Sequence, residues 1–202
     1  MPPAGRPREF DPEVALEAAM EAFWLQGYGG TSMSDLEEAT GLGKGSLYKA
    51  FGDKQSLFIQ ALAKYEEYSF REMGPRIAAA ANATEAVRSF LDFALCRGVS
   101  DDGCRRGCMA ANTVTELANE DPVVIEFLQK GMKKMMAVLT GLIEQGQATG
   151  EFRSDATAES LAEFLAMLNV GLSTYSKAGF ANTSDEALIE LALSALQAPN
   201  AR

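Results

Sequence analysis

The sequence predicts an all-α protein. No segment alternates apolar and polar residues as a half-buried strand does, whereas alanine, leucine, glutamate and methionine, which favour helices, are abundant. Helix starts are clearly marked: Asp11-Pro12-Glu13 supplies an N-cap, a first-turn proline and an early acid, and Asp121-Pro122 repeats the first two. A chain of 202 residues, 47% of them hydrophobic, is large enough for one large domain or two modest ones.

Helical periodicity and stop signals predict nine helices. We expect them at 11–28, 33–40, 44–51, 54–72, 84–98, 107–119, 122–148, 155–178 and 184–197. Tyr28-Gly29-Gly30 is expected to break the first helix and Gly74-Pro75 to end the fourth. Ser34-x-x-Glu37 and Thr183-x-x-Glu186 match capping boxes.

The lengths of these helices suggest two domains. The first three helices are short and closely spaced, whereas the last six are longer and more apolar. We therefore expect a small domain of residues 1–53 and a larger helical domain of residues 54–202, with the fourth helix bridging them.

Composition narrows the class of protein. The chain carries a formal charge of −10, three cysteines and no histidine, which argues against disulfide frameworks, histidine-bearing metal sites and imidazole catalysis. The longest uncharged apolar stretch, 164–176, is too short for the ~20 residues that span a bilayer, and the N-terminus lacks the apolar core of a secretion signal. We expect a cytoplasmic protein that is not an enzyme, binds no metal or cofactor and does not enter a membrane.

The small domain contains a helix-turn-helix signature. Two short helices are joined by Gly41-Leu42-Gly43, a three-residue turn with glycine. On the wheel of residues 44–51, Leu47, Ala50 and Phe51 share one face, which predicts that they point to the core. The opposite face carries the groups that suit a DNA groove, namely Gly45, Ser46, Tyr48 and Lys49. The alternative is an ordinary short surface helix.

The segment GYGGTSMSDLEEATGLGKGSLYKAFGDKQSLF, residues 27–58, resembles the DNA-binding domain of the TetR/AcrR family of transcriptional regulators. The matching positions are Gly27, Thr31, Gly41, Gly45, Leu47, Tyr48, Phe51, Lys54 and Leu57. The rest of the chain matches that family only in architecture. The resemblance implies a homodimeric repressor that is released from a palindromic operator by a small molecule.

The resemblance also implies roles for individual residues. Ser32 and Lys54 would hold phosphates, and Lys44, Gly45, Ser46, Tyr48 and Lys49 would face the groove. Arg6 and Arg8 resemble a short arm that enters a minor groove, although a merely solubilising tail is an equal alternative. Three positions depart from the family: Glu37 and Thr40 replace small alanines, and Gly43 replaces a capping serine or threonine.

The net negative charge of the chain conflicts at first sight with binding to DNA, which is also negatively charged. Even residues 1–54 hold five basic and nine acidic side chains. However, four of the acids lie on the first helix, and screening beyond ~8 Å lets a local basic cluster act independently of total charge. We expect a modest salt dependence and weak binding to arbitrary DNA.

The last two helices predict a homodimer. They are apolar nearly all round, so each must be covered on more than one side. We expect residues about 155–197 of two chains to form a four-helix interface, the alternative being a larger core within one chain. A symmetric dimer implies operator half-sites about 34–36 Å apart.

Methionine and phenylalanine residues in the larger domain suggest a ligand pocket, which the family resemblance implies. Such flexible apolar side chains suit an apolar or aromatic effector, whereas the alternative is that they only form the core. The candidate lining residues are Phe90, Phe93, Met109, Met132, Met135, Met136, Phe164, Met167 and Leu168.

The segment CRRGCM, residues 104–109, offers a second regulatory chemistry. Two arginines flank Cys104 and Cys108, and Cys108 is expected to open a helix, which would favour its thiolate. A thiol sensor is therefore an alternative to ligand binding, and a buried, inert Cys108 is the simpler interpretation. A helical ligand-binding or catalytic protein with a vestigial helix-turn-helix is the remaining alternative.

Overall fold

The computed structural model describes residues 10–96, 105–180 and 183–197. Within these ranges the chain forms nine α-helices and no β-strand, in agreement with the predicted fold class. The helices are α1 (Pro12–Gly30), α2 (Met33–Thr40), α3 (Lys44–Phe51), α4 (Lys54–Ala78), α5 (Ala83–Cys96), α6 (Met109–Leu117), α7 (Pro122–Thr149), α8 (Ala158–Lys177) and α9 (Asp185–Leu196).

The chain divides into two compact units. Unit 1 comprises Met1–Glu66 and unit 2 comprises Glu67–Arg202, so the division falls within α4. No helix in the described ranges is long and apolar enough to cross a membrane.

Aromatic packing holds unit 1 together. The ring of Phe23 on α1 meets that of Phe58 on α4 edge-on, with 4.9 Å between centroids, and Trp24 meets Tyr65 at the same distance. Such edge-to-face pairs are favoured over a face-to-face sandwich. These contacts fix α1 against the first half of α4.

Two helix boundaries differ from the predicted ones. The break in α1 lies at Gly27, whose φ of 79° is left-handed, and residues 28–30 return to helical geometry. Helix α4 continues through Pro75 to Ala78, which corrects the expected end at Gly74-Pro75. Proline removes one backbone hydrogen bond to the preceding turn. Half-buried Ile77, after Pro75, packs against the core of unit 2, and this contact stabilises the last turn of α4 in spite of the lost bond.

The predicted N-caps Asp11 and Asp121 are confirmed, whereas the caps of two other helices differ from the predicted ones. The N-cap of α2 is Ser32 with Asp35 completing the capping box, and the N-cap of α9 is Ser184. Thus the capping boxes predicted at Ser34 and Thr183 are wrong. In each case a second hydroxyl residue lies close by, Ser32 two residues before Ser34 and Ser184 directly after Thr183. The sequence does not tell which of the two takes the extended backbone that an N-cap requires.

Helix α5 lies among α7, α8 and α9 in the core of unit 2. Phe90 and Leu91 of α5 are among its most deeply buried side chains. Arg88 on α5 forms ion pairs with Glu186 and Glu190 on α9. The hydroxyl of Ser173 on α8 donates a hydrogen bond to the carbonyl of Ala94, 3.1 Å away. The last two contacts tie α5 to both C-terminal helices.

Glu151, in the loop after α7, caps the N-terminus of α5. Its carboxylate accepts hydrogen bonds from the backbone N–H and the hydroxyl of Thr84, each at 2.9 Å, and from the hydroxyl of Thr149 at 2.7 Å. These bonds, the one from the Thr84 backbone foremost, hold the pKa of Glu151 below its usual value. The loop is thereby fastened to α5.

Because the pKa of Glu151 is lower in the folded state, its carboxylate stabilises the fold above the unfolded pKa and this stability is lost as the pH falls through the folded pKa. We expect Glu151→Gln to lose about 0.5–2 kcal/mol at pH 7, as for other helix caps. The deficit relative to wild type should shrink below pH about 4.5. Urea unfolding at several pH values measures it, with Glu144→Gln on the exposed face of α7 as control. A deficit independent of pH would contradict the capping role.

Candidate nucleic-acid interface

Helices α2 and α3 form the predicted helix-turn-helix. Gly41 ends α2 with a φ of 67°, a left-handed conformation that glycine adopts without strain, and Gly43 is the N-cap of α3. The hydroxyl of Thr40 donates to the carbonyl of Leu36 at 2.6 Å and accepts the N–H of Leu42 at 3.3 Å. Thr40, a departure from the family pattern, therefore closes the turn.

The faces of α3 separate as the helical wheel predicts. Leu47 and Phe51 are buried, at 1% and 7% exposure, and Ala50 is half-buried. The outer face is exposed at every predicted groove position, namely Lys44, Gly45, Ser46, Tyr48 and Lys49. Helix α3 has no acidic residue, so this face offers only cations, hydroxyls and backbone to a partner.

Ser32 and Asp35 organise the N-terminus of α2. The Asp35 carboxylate accepts hydrogen bonds from the backbone N–H and from the hydroxyl of Ser32, both at 2.6 Å. The hydroxyl and N–H of Ser32 lower the pKa of Asp35, and the charge of Lys54 lowers it further. Ser32 is therefore positioned by a carboxylate that the sequence analysis did not single out. The S-x-x-D spacing from Ser32 to Asp35 is the feature of the sequence that could have indicated this contact.

Lys54, the other predicted phosphate ligand, is held by an aromatic ring. Its ammonium lies 4.4 Å from the ring centroid of Tyr28, a cation–π contact. The Tyr28 ring in turn packs against Phe58 at 4.9 Å. The structure thus brings Lys54 to the N-terminus of α2, beside Asp35. Arg6 and Arg8 lie outside the described residues.

A basic, acid-free helix face beside a preorganised lysine is what a DNA-binding helix-turn-helix presents. The family model for bacterial regulatory proteins of the tetR family matches residues 15–61, and the model for the C-terminal domain of tetracyclin-repressor-like proteins matches residues 83–191. The chain belongs to the TetR family. It is a DNA-binding transcriptional repressor of that family, and such regulators are not enzymes.

Individual relatives agree with this assignment. The transcriptional repressor ComR of Escherichia coli is 29% identical over 93% of this chain and 88% of its own length. The regulator YezE of Bacillus subtilis is also 29% identical, over 86% and 89%. A cysteine-substituted variant of the TetR-family regulator CifR, solved with a 26-base-pair operator, is 33% identical, with a TM-score of 0.81 over 95% of this chain and all of that one.

The residues predicted to line a ligand pocket do not all lie together in the structure of this TetR-family chain. Phe90 and Phe93 belong to the core of unit 2, and Met135, Met136 and Leu168 pack against it. Met109 is buried, at 1% exposure. By contrast, Met132, Phe164 and Met167 are 45%, 37% and 62% exposed, so within one chain they do not line an enclosed site. The helical period that placed them could not show which face of α7 or α8 is covered.

The cysteine segment leads into α6. Helix α6 begins at Met109, two residues later than the predicted start at 107. Cys108 is its N-cap and is buried at 7% exposure. Arg105 donates to the hydroxyl of Ser176 on α8 at 2.5 Å, and burial lowers the pKa of Arg106. Cys104 lies outside the described residues. Cys96, which the sequence analysis did not single out, is exposed at the end of α5.

Helices α8 and α9, and the residues just after α8, expose large apolar side chains. Besides Phe164 and Met167, Tyr175, Phe180 and Leu191 are 44%, 63% and 69% exposed. The rings of Tyr175 and Phe180 meet edge-on at 5.7 Å. A single chain therefore leaves these apolar groups in contact with water, at an energetic cost that association of two chains would remove.

Proposed function

We propose that this TetR-family repressor acts as a cytoplasmic homodimer that places α3 of each chain in the major groove of a palindromic operator. The observation that supports this most directly is the exposed, acid-free face of α3, with Lys44, Tyr48 and Lys49 accessible together. The operator complex of the similar regulator CifR supports the same mode of binding. Ser32 and Lys54 would contact phosphates beside the groove, with Arg6 and Arg8 in the minor groove.

Selection of genomic DNA by the purified protein tests this proposal. Fragments that remain bound after a salt wash are sequenced, and we expect one palindromic motif with half-sites about one helical turn apart. Retention of fragments without a common motif would contradict sequence-specific recognition. The genes beside the retained sites would also indicate what the repressor regulates.

The proposed dimer interface lies within residues 155–197. The exposed apolar side chains of α8 and α9 support it, because a monomer leaves Met167 and Leu191 largely uncovered. Few charged side chains interrupt these helices, and the charged residues of α9 are near its start or engaged with Arg88. Two copies could therefore bury a mostly apolar surface between them.

Leu191→Asp is expected to dissociate the dimer, because it would bury a carboxylate without a partner in the proposed interface. Size-exclusion chromatography with light scattering measures the mass at micromolar concentration. Val123→Asp is the matched control, since Val123 on α7 is 55% exposed outside the proposed interface, and it should remain dimeric. A Leu191→Asp protein with the mass of the wild type would exclude this interface.

Release from DNA is proposed to follow binding of a small effector in unit 2. Helix α4 contributes residues to both units, so a change in its position or length could be transmitted to the DNA-binding unit. The effector needs only to prefer the state that does not fit the operator. Flexible Met135 and Met136, packed against the core, support an adaptable apolar site.

A thiol switch is the second candidate for release. The observation that favours it is the position of Cys108 at the start of α6, after two arginines, together with the cysteine substitutions in the operator complexes of CifR. If a thiol is the sensor, an alkylating agent should release wild-type protein from DNA, and Cys108→Ser should prevent release, measured by fluorescence anisotropy. Cys96→Ser is the control. Release of the Cys108→Ser protein at the wild-type rate would exclude Cys108.

A further inference from the structure

The buried face of α8 contains a polar group for which the described part of the chain gives no partner. Asn169, Ser173 and Ser176 are spaced on one face of the helix and are 4%, 1% and 7% exposed. Ser173 donates to Ala94 and Ser176 accepts from Arg105. The side-chain oxygen of Asn169, in contrast, is buried and has no hydrogen-bond partner among the residues that the structure describes.

An unsatisfied buried amide is unfavourable, and most buried polar groups in proteins are paired. Leucine has nearly the shape of asparagine and occupies the neighbouring buried positions Leu165 and Leu172, so an apolar side chain would serve packing better. A group that binds Asn169 from outside the chain would recover the lost hydrogen bond. This is the reason to consider Asn169 as a binding residue.

Two contacts locate Asn169 relative to α5. The start of α5 is fastened to Glu151, just before α8, and Ala94 near its end is fastened to Ser173. We infer that the two helices run in the same direction, which would place Asn169, one turn before Ser173, at the level of Phe90. The half-buried methionines Met135 and Met136 of α7 pack against the same core. Their flexible side chains could move to admit a ligand.

We propose that Asn169 anchors the effector, and that the effector is an uncharged molecule with an apolar or aromatic body and one hydrogen-bonding group, such as a hydroxyl. This inference rests on the proposed function, since it assigns the effector class of the same repressor. Among the fully buried side chains of unit 2 in the described ranges, the polar ones are hydroxyls and one amide. The cations that approach this face of α8 belong to the segment before α6, where Arg105 is exposed and already bound to Ser176 and Arg106 is only half-buried. An ionised ligand would therefore lack a partner at this depth.

Matched probes test the proposal by calorimetry and thermal shift. The probes are p-cresol, p-xylene, which replaces the hydroxyl by a methyl group, and the anion p-toluate. The proteins are wild type, Asn169→Leu and, as control, Leu165→Met, a volume-conserving change one turn earlier on α8. We expect wild type and the control to bind p-cresol at least about tenfold more tightly than p-xylene, and Asn169→Leu to lose this preference. Without a probe, Asn169→Leu should melt at a higher temperature than wild type.

Several results would overturn the anchor: equal binding of p-cresol and p-xylene, a preference that survives in Asn169→Leu, no binding of either probe, or p-toluate binding as tightly as p-cresol. A lower melting temperature of unliganded Asn169→Leu would also overturn it, because the amide would then be satisfied in the native protein. Operator binding is measured on the same samples. If the wild type binds its operator but does not prefer p-cresol to p-xylene, the role of Asn169 as anchor is disproved and the proposed function is not. If it prefers p-cresol but does not bind an operator, the proposed function is disproved.

Discussion

Gly146→Ala is expected to lower the free energy of unfolding by about 2–3 kcal/mol, because there is no room for a methyl group at this position of α7. A Cβ on Gly146 would lie 2.8 Å from Cγ of Phe152 and still closer to two other ring carbons. The ring cannot easily retreat, since Phe152 is 3% exposed within the core of unit 2. Its own backbone N–H also donates to the carbonyl of Gly146 at 3.1 Å.

Differential scanning calorimetry measures the effect, and for a chain of this size we expect a fall in Tm of roughly 5–10 °C. Gly141→Ala is the matched control on the same helix, because a Cβ there meets no atom within 4 Å. Alanine in an exposed helical position should leave the protein as stable as the wild type or stabilise it by up to about 1 kcal/mol. Equal melting temperatures for the two variants would contradict the packing of Phe152 on Gly146.

Gly45→Ala is expected to weaken operator binding about tenfold or more while leaving the free protein at least as stable as the wild type. Gly45 lies in the first turn of α3, is exposed, and has room for a Cβ, with no atom within 4 Å and no left-handed φ. Alanine should therefore favour the helix. At a groove-facing position, however, a methyl group would hold the backbone of α3 away from the DNA and weaken neighbouring contacts by about 1–3 kcal/mol.

Fluorescence anisotropy with the selected operator measures the affinity, and thermal unfolding measures the stability of the same samples. Gly141→Ala again provides the control, since it makes the same chemical change on a helix that the proposal keeps away from DNA. If Gly45→Ala and Gly141→Ala bind the operator with equal affinity, the first turn of α3 does not lie close to the DNA. Loss of stability in Gly45→Ala would instead contradict the open surroundings of Gly45.

Much of the fold follows from local sequence. The Asp11 and Asp121 caps with their prolines, the glycine turn at 41–43 and the helical periods place the helices close to their observed ends. The wheel of α3 also predicts which of its residues are buried, because a short amphipathic helix has only one way to cover Leu47 and Phe51. These features depend on neighbours along the chain, and such neighbours are visible in the sequence.

Features that depend on distant contacts could not be predicted in this way. Local rules end α4 at Pro75, yet Ile77 packs on the core and the helix continues. Three glycines surround Tyr28, but Gly27 makes the break, with the Tyr28 ring packed against Phe58 and beneath the Lys54 ammonium. In each case a contact with another helix decides between local alternatives of similar energy.

The sequence by itself determined the helical class, the helix-turn-helix and the set of side chains on the outer face of α3, because helix period and turn chemistry are local properties. The tertiary structure alone decided which apolar residues of α5, α7 and α8 are covered. It buried Phe90 and Phe93 of α5, exposed Phe164 and Met167 of α8, and left the side-chain oxygen of Asn169 inside the core with no hydrogen-bond partner among the described residues. Asn169 was visible as a polar residue in an apolar helix, but only the packing of other helices around α8 shows that its oxygen is shielded from water and unpaired.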